Sequence, residues 1–203
     1  MFAIEIITKN SLYSVKYKDR YDEFENKETV EDNEPVDEFS SLFNNWQDPE
    51  YLDNFFNKHK QDLQKEFFNC ISIEEAILKT IDEAYEFQQK ILSIAENGTD
   101  ELSQNLQTLF IPLNNYEKEI YPIPDYQKSK AYGSKKSWLR MYAIRIEENV
   151  FIITGGAIKL TKTMNEREHL TKELKKLEEV KQFLISEGII DSDSIIEFFE
   201  LEF

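Results

Sequence analysis

An α+β fold is predicted for this chain by three features of its sequence. It opens with two short runs rich in β-branched and aromatic residues, FAIEIIT and LYSVKY, separated by Lys9-Asn10-Ser11. From Asp37 the apolar spacing changes to a helical period that persists to about Phe110. Strand-like runs then return between 138 and 162, ahead of one long amphipathic stripe. At 203 residues the chain is long enough for one well-filled core and exceeds the smallest single-domain folds. It is read as a single domain, 1–203, with a helical insertion at 37–110 and a basic meander plus C-terminal helix at 126–188.

Taken in order, the first two runs form an N-terminal strand or hairpin, because β-branched and aromatic side chains suit a pleated surface and Lys9-Asn10-Ser11 suits a tight turn. Lys18 to Asp37 is dense in Asp and Glu and reads as a solvated loop. Phe39, Leu42, Phe43 and Trp46 fall at i, i+3, i+4 and i+7, one face of a helix. Asp48-Pro49 is an N-cap followed by proline in the first turn, where its missing N–H costs nothing, and it opens a second helix carrying Leu52, Phe55, Phe56 and Leu63. Ser72 and Glu75 have the spacing of a capping box for a third helix, which Asn97-Gly98 ends. A shorter helix is expected from about Thr99 to Phe110.

SWLRMYAIRI and VFIIT read as a hairpin across Glu147-Glu148-Asn149. Gly155-Gly156 breaks the second strand, as a bend or bulge, and AIKLTK resumes as a third, so antiparallel strands are expected at about 138–147, 149–154 and 157–162. Asn165 with Glu168 opens a last helix from about Glu166 to Ser186, closed by Gly188. Its stripe of Leu170, Leu174, Leu177, Val180, Phe183 and Leu184 is expected to pack across the sheet, and the N-terminal strand to join that sheet.

Composition narrows the function classes. The N-terminus has neither the basic start nor the small-residue cleavage site of a signal peptide, and no apolar run nears the roughly 18 residues of a membrane span. The single cysteine, Cys70, permits no intramolecular disulfide, so a cytoplasmic setting is expected, with Cys70 as a buried small hydrophobe. Two histidines and one cysteine are too few for the usual zinc spacing, and no cofactor is expected. A net charge of −16 opposes general nucleic-acid binding, yet the charge is segregated. Tyr126 to Lys176 holds 12 Lys and Arg against five acids, a balance of +7, while the rest of the chain carries −23. Such a division marks a functional face.

Within that face, Trp138 to Glu166 reads WLRMYAIRIEENVFIITGGAIKLTKTMNE. It presents an arginine-bearing strand (Arg140) ending in an aromatic-Ala pair (Tyr142-Ala143), a turn, a hydrophobic strand (Phe151 to Ile153), glycine, and then Lys159 and Thr161. This run resembles the core of the RelE/HigB-like toxins of bacterial toxin–antitoxin pairs. The resemblance implies an antiparallel RelE-like sheet and ribosome-dependent, metal-independent cleavage of mRNA, in which a 2′-hydroxyl attacks the neighbouring phosphate. It also implies partners: an antitoxin protein, and the ribosome with its message. Arg140 matches the family's strand arginine, which holds the phosphate, and Lys159 matches the first of its paired lysines. Leu160 stands where the second lysine is usual, and Lys162 is placed to supply that charge.

Cations are what the developing phosphorane needs, together with a group that moves a proton. His169 has an ordinary pKa suited to that transfer, although it matches no family position. Strand alternation puts Trp138, Arg140, Tyr142 and Ile144 on one face and Leu139, Met141, Ala143 and Arg145 on the other. Each face carries an arginine, and alternation alone assigns neither to the open side. Tyr142 is placed for stacking on a base, with Arg145, Lys135 and Lys136 as further RNA contacts. The acidic, aromatic-rich remainder equally suits a noncatalytic protein-interaction role on the same scaffold, because it repels ribosomal RNA.

Overall fold

The computed structural model describes residues 2–17, 35–65, 71–97, 105–114, 126–134 and 136–201. Most of the acidic segment, Cys70, Gly98 and Lys135 lie outside the described residues. Strands β1 (Phe2–Thr8) and β2 (Leu12–Tyr17) form the expected N-terminal hairpin, with Asn10 in the left-handed region at φ 63°. A helical insertion follows: α1 (Glu38–Gln47), α2 (Pro49–Lys58), α3 (Lys60–Leu63), α4 (Ile73–Asn97) and α5 (Leu106–Leu109). The chain then returns to the sheet through β3 (Ile111–Pro112), β4 (Gln127–Tyr132), β5 (Leu139–Glu147) and β6 (Val150–Ile158). It closes with α6 (Glu168–Ser186) and α7 (Ser192–Leu201).

The caps sit where short-range chemistry puts them. Asp37 accepts from Ser40 N at 3.1 Å and Asp48 from Glu50 N at 2.8 Å, which satisfies amides the first turn would leave bare. Ser72 and Glu75 exchange hydrogen bonds of 3.0 and 3.2 Å before α4. At the end of α6, Gly188 adopts φ 69° while Ile189 N donates to Leu184 O at 2.9 Å and Gly188 N to Ile185 O, the Schellman pattern. The start of α6 differs from expectation. Asn165 and Glu168 form no cap; the capping box is Thr163 with Glu166, it closes a 3₁₀ turn at Met164–Glu166, and α6 begins at Glu168.

The six strands run in the order β1-β2-β6-β5-β4-β3, and the sheet is mixed rather than wholly antiparallel. Leu12–Ser14 pairs in parallel with Phe151–Ile153, because the helical insertion carries the chain across the sheet between the two strands, as a parallel neighbour requires. Both faces are covered. Helices α1 to α5 pack on Leu139, Met141, Ala143, Phe151 and Ile153, and α6 and α7 pack on Tyr142, Ile144, Ile146 and Ile152. Trp138 joins the first group and not Arg140's face, since it precedes β5 and escapes its alternation; its Nε1 donates to Thr80 Oγ1 at 2.9 Å.

The expected third strand at 157–162 does not form. β6 runs through both glycines to Ile158, and the irregularity is a bulge at Thr154: Tyr142 faces Gly155 while Ala143 faces Ile153. Close approach explains the glycines. A Cβ at Gly155 would lie 2.0 Å from Glu173 Oε2, and one at Gly156 would lie 2.6 Å from Arg140 O and 2.9 Å from Leu42 Cδ1. The third member of the meander is β4, on the far side of β5.

Candidate functional site

The register of β4 against β5 builds one wall of a groove of about 580 Å³ on the α6 side of the sheet. Tyr132 pairs with Arg140 and Lys130 with Tyr142 across these strands. The chain leaving β6 supplies Lys159, and the loop beyond supplies Lys162 and Thr163. Arg140, Lys159 and Lys162, the three cations singled out by the sequence, thus line one groove, joined by Lys130.

Each anchored cation is held by backbone carbonyls. Arg140 Nη1 donates to Ser137 O at 2.6 Å and to Leu139 O at 2.7 Å, with the guanidinium carbon 4.2 Å from the centre of the Tyr132 ring. Lys159 Nζ donates to Thr161 O and Lys162 O at 2.6 and 2.7 Å, and Lys130 Nζ to Leu113 O at 2.7 Å. Among the described residues, none of the four makes an ion pair with a carboxylate. Burial holds the Arg140 guanidinium below its ordinary pKa. Burial, and then Arg140 itself, hold Lys159 below the usual lysine range, with Lys130 adding to the effect and Glu166 opposing it.

Of the other expected site residues, Tyr142 borders the same groove but is buried, and the rest that are described lie elsewhere. Tyr142 is 1% exposed, its hydroxyl directed at Met164 Sδ 2.9 Å away, and burial raises its pKa; its ring offers no open face to a base. Arg145 is half-buried among the α1–α5 layer's sheet positions, opposite Phe151 and away from the groove. Its Nε is buried without a hydrogen bond. Lys136 is exposed in the turn between β4 and β5. Leu160, in the place of the family's second lysine, is buried in the helical core, where an ammonium would be stranded.

His169 lies in a different cleft, of about 370 Å³, between α1–α2 and the first turns of α6, with Gly156 to Ile158 along one wall. Its companion there is His59; the ring centres are 4.8 Å apart, with Phe55 against both. Burial first, then His169, push His59 down to about 4, with Lys58 and Arg167 adding and Asp62 opposing. Burial also lowers His169, whose Nε2 lies 3.2 Å from Ile158 O and, facing a carbonyl, must be the N–H donor.

Here the cations face carboxylates. Arg167 makes two 2.6 Å bonds to Asp62, and Lys176 lies 3.2 Å from Glu38 and 3.0 Å from Glu173. Burial pushes the Asp62 carboxyl up, but hydrogen bonds from Arg167 and Lys65 more than offset it and leave it below its ordinary value. Comparison with family models, curated proteins and solved structures finds no match for this chain.

Proposed function

We propose that the groove between β4, β5 and the loop after β6 takes the phosphodiester backbone of RNA. On this reading the chain is the toxin-like member of a toxin–antitoxin pair, cleaving mRNA on the ribosome without a metal, as the RelE/HigB resemblance implies. One observation carries the reading: in a chain of net charge −16, four cations line one groove, three of them held by backbone carbonyls, and among the described residues none is in an ion pair with a carboxylate. Mutual repulsion among them is relieved by an anion. A phosphate in the groove lies within a Debye length of all four, so their local attraction outweighs the distant acidic body at physiological salt.

The chemistry follows from the same groups. When the 2′-hydroxyl attacks the adjacent phosphorus, the 5′-oxygen leaves, and a 2′,3′-cyclic phosphate and a 5′-hydroxyl result. The additional negative charge of the intermediate is met by the pinned Arg140 guanidinium, with Lys162 at the exposed end of the groove. Lys159, held below the ordinary lysine pKa, is the proton-transferring group in this scheme; His169 is too differently placed to take part.

The test is expression with and without the neighbouring reading frame, followed by growth and integrity of translated messages. Arrest with message cleavage that the neighbour's product relieves supports the reading, and that product should copurify over the groove. A second reading is favoured by the carbonyl clasps of Arg140 and Lys159, which resemble structural ties. On that reading the chain is a noncatalytic interaction protein, expression alone is harmless, and Arg140→Ala lowers the melting temperature with no activity to lose.

A further inference from the structure

The groove contains two tyrosines, and only one of them can face a ligand. Tyr142 is buried in the sheet, whereas Tyr132 is half-buried at the end of β4, on the groove wall. Arg140 is its cross-strand partner, with the guanidinium carbon 4.2 Å from the ring centre and Nη1 tied to two carbonyls. The result is a tethered cationic and aromatic pair on the groove wall, with Lys130, Lys159 and Lys162 lining the same groove. Proteins that hold single strands combine these two features: charge along the backbone track, and a planar group on which a base stacks.

Resting on the reading of the groove as an RNA site, we infer that the Tyr132–Arg140 pair is a stacking platform for one unpaired base of the strand whose backbone the groove holds. A duplex is excluded by the same geometry, because its base faces are already stacked and its edges, not its faces, reach the grooves. The volume, about 580 Å³, is within the range of sites that enclose a ligand of one or two nucleotides' size. Tyr132 is thus a positioning residue: it fixes which phosphate meets Arg140 and Lys159.

The experiment measures binding of the full chain to three probes: a single-stranded RNA hexamer, an abasic hexamer with the same ribose-phosphate backbone, and a hexamer duplex. Base stacking at one site is expected to make the wild type bind the single strand about tenfold or more tightly than the abasic backbone. Tyr132→Leu should remove that difference by weakening single-strand binding far more than abasic binding, while Tyr132→Phe keeps it. A 2-aminopurine placed in the single strand should be quenched on binding to wild type, which supplies a readout if Tyr132→Leu fails to fold. Equal binding of the single strand and the abasic backbone by wild type overturns the platform and leaves the phosphate groove standing. Failure to bind either overturns both. Tyr132→Leu weakening the two probes alike, or a duplex binding best, also overturns the platform.

Discussion

Acidification tests the packing of the helical insertion against α6 through a single group. His59 is 12% exposed, lies against Phe55 and His169, and is held at about 4 instead of 6.5. The unfolded chain therefore takes up the proton first. His59 contributes its full stability above pH 6.5, and that contribution is lost as pH falls from 6.5 to about 4, with little further loss below. A shift of this size corresponds to roughly 3–4 kcal/mol, since each unit is worth about 1.4 kcal/mol, and most of it is gone by pH 4.5. His169, lowered in the same direction by burial, adds to the loss.

Carboxylates titrate in the same interval, so the informative quantity is a difference. Urea unfolding of wild type and His59→Phe, which keeps a ring against Phe55, should be compared from pH 7.5 to 4.5. The variant should gain on the wild type by about 2 kcal/mol across that range. Stability curves that stay parallel, or an imidazole signal for His59 that titrates near 6.5 in the folded protein, would refute the argument that the neutral pair is enforced by burial.

Asp62→Asn removes the charge that Arg167 and Lys65 share; because Arg167 is partly exposed, the expected cost is moderate, about 1–3 kcal/mol, read as a lowered melting temperature at pH 7. Gly155→Ala forces a methyl group against the Glu173 carboxylate and should destabilise by about 1–3 kcal/mol, and combining it with Glu173→Ala should recover part of that loss in a double-mutant cycle. Arg140→Ala and Lys159→Ala should each reduce message cleavage on the order of a hundredfold while changing thermal stability far less; equal toxicity of Arg140→Ala would end the RNase reading. Gly188→Ala meets no atom within 4 Å yet should cost about 1 kcal/mol, because φ 69° disfavours any side chain.

Much of the candidate groove is legible from residue order. Arg140, Tyr142 and Ile144 share a face of β5 by simple alternation, and Lys159 and Lys162 follow directly on its hairpin partner β6. Lys130 and Tyr132 were missed because the inward positions of β4 are Gln127, Ser129 and Ala131, too polar or too small to give an apolar period. The alternation of Lys128, Lys130 and Tyr132 is the signal that could have found them. His59 and His169 are a different matter. They are 110 residues apart, and no local pattern links them.

The sequence by itself determined the hairpins, the helix stripes and most of the caps, along with the gathering of positive charge after Tyr126. Each of these is settled by interactions within a few residues: a side-chain oxygen on a bare amide, a left-handed turn at Asn10 or Gly188, apolar groups repeating at the period of the element. Tertiary structure alone decided the parallel pairing of β2 with β6, the passage of β6 through two glycines, and the separation of Arg140 from His169 into different clefts. Those outcomes depend on how closely α1 and α6 approach the two faces of one sheet, with Leu42 and Trp46 over Gly156 and Glu173 over Gly155. Close packing of elements distant in sequence sets such distances, and a residue's neighbours along the chain do not encode them.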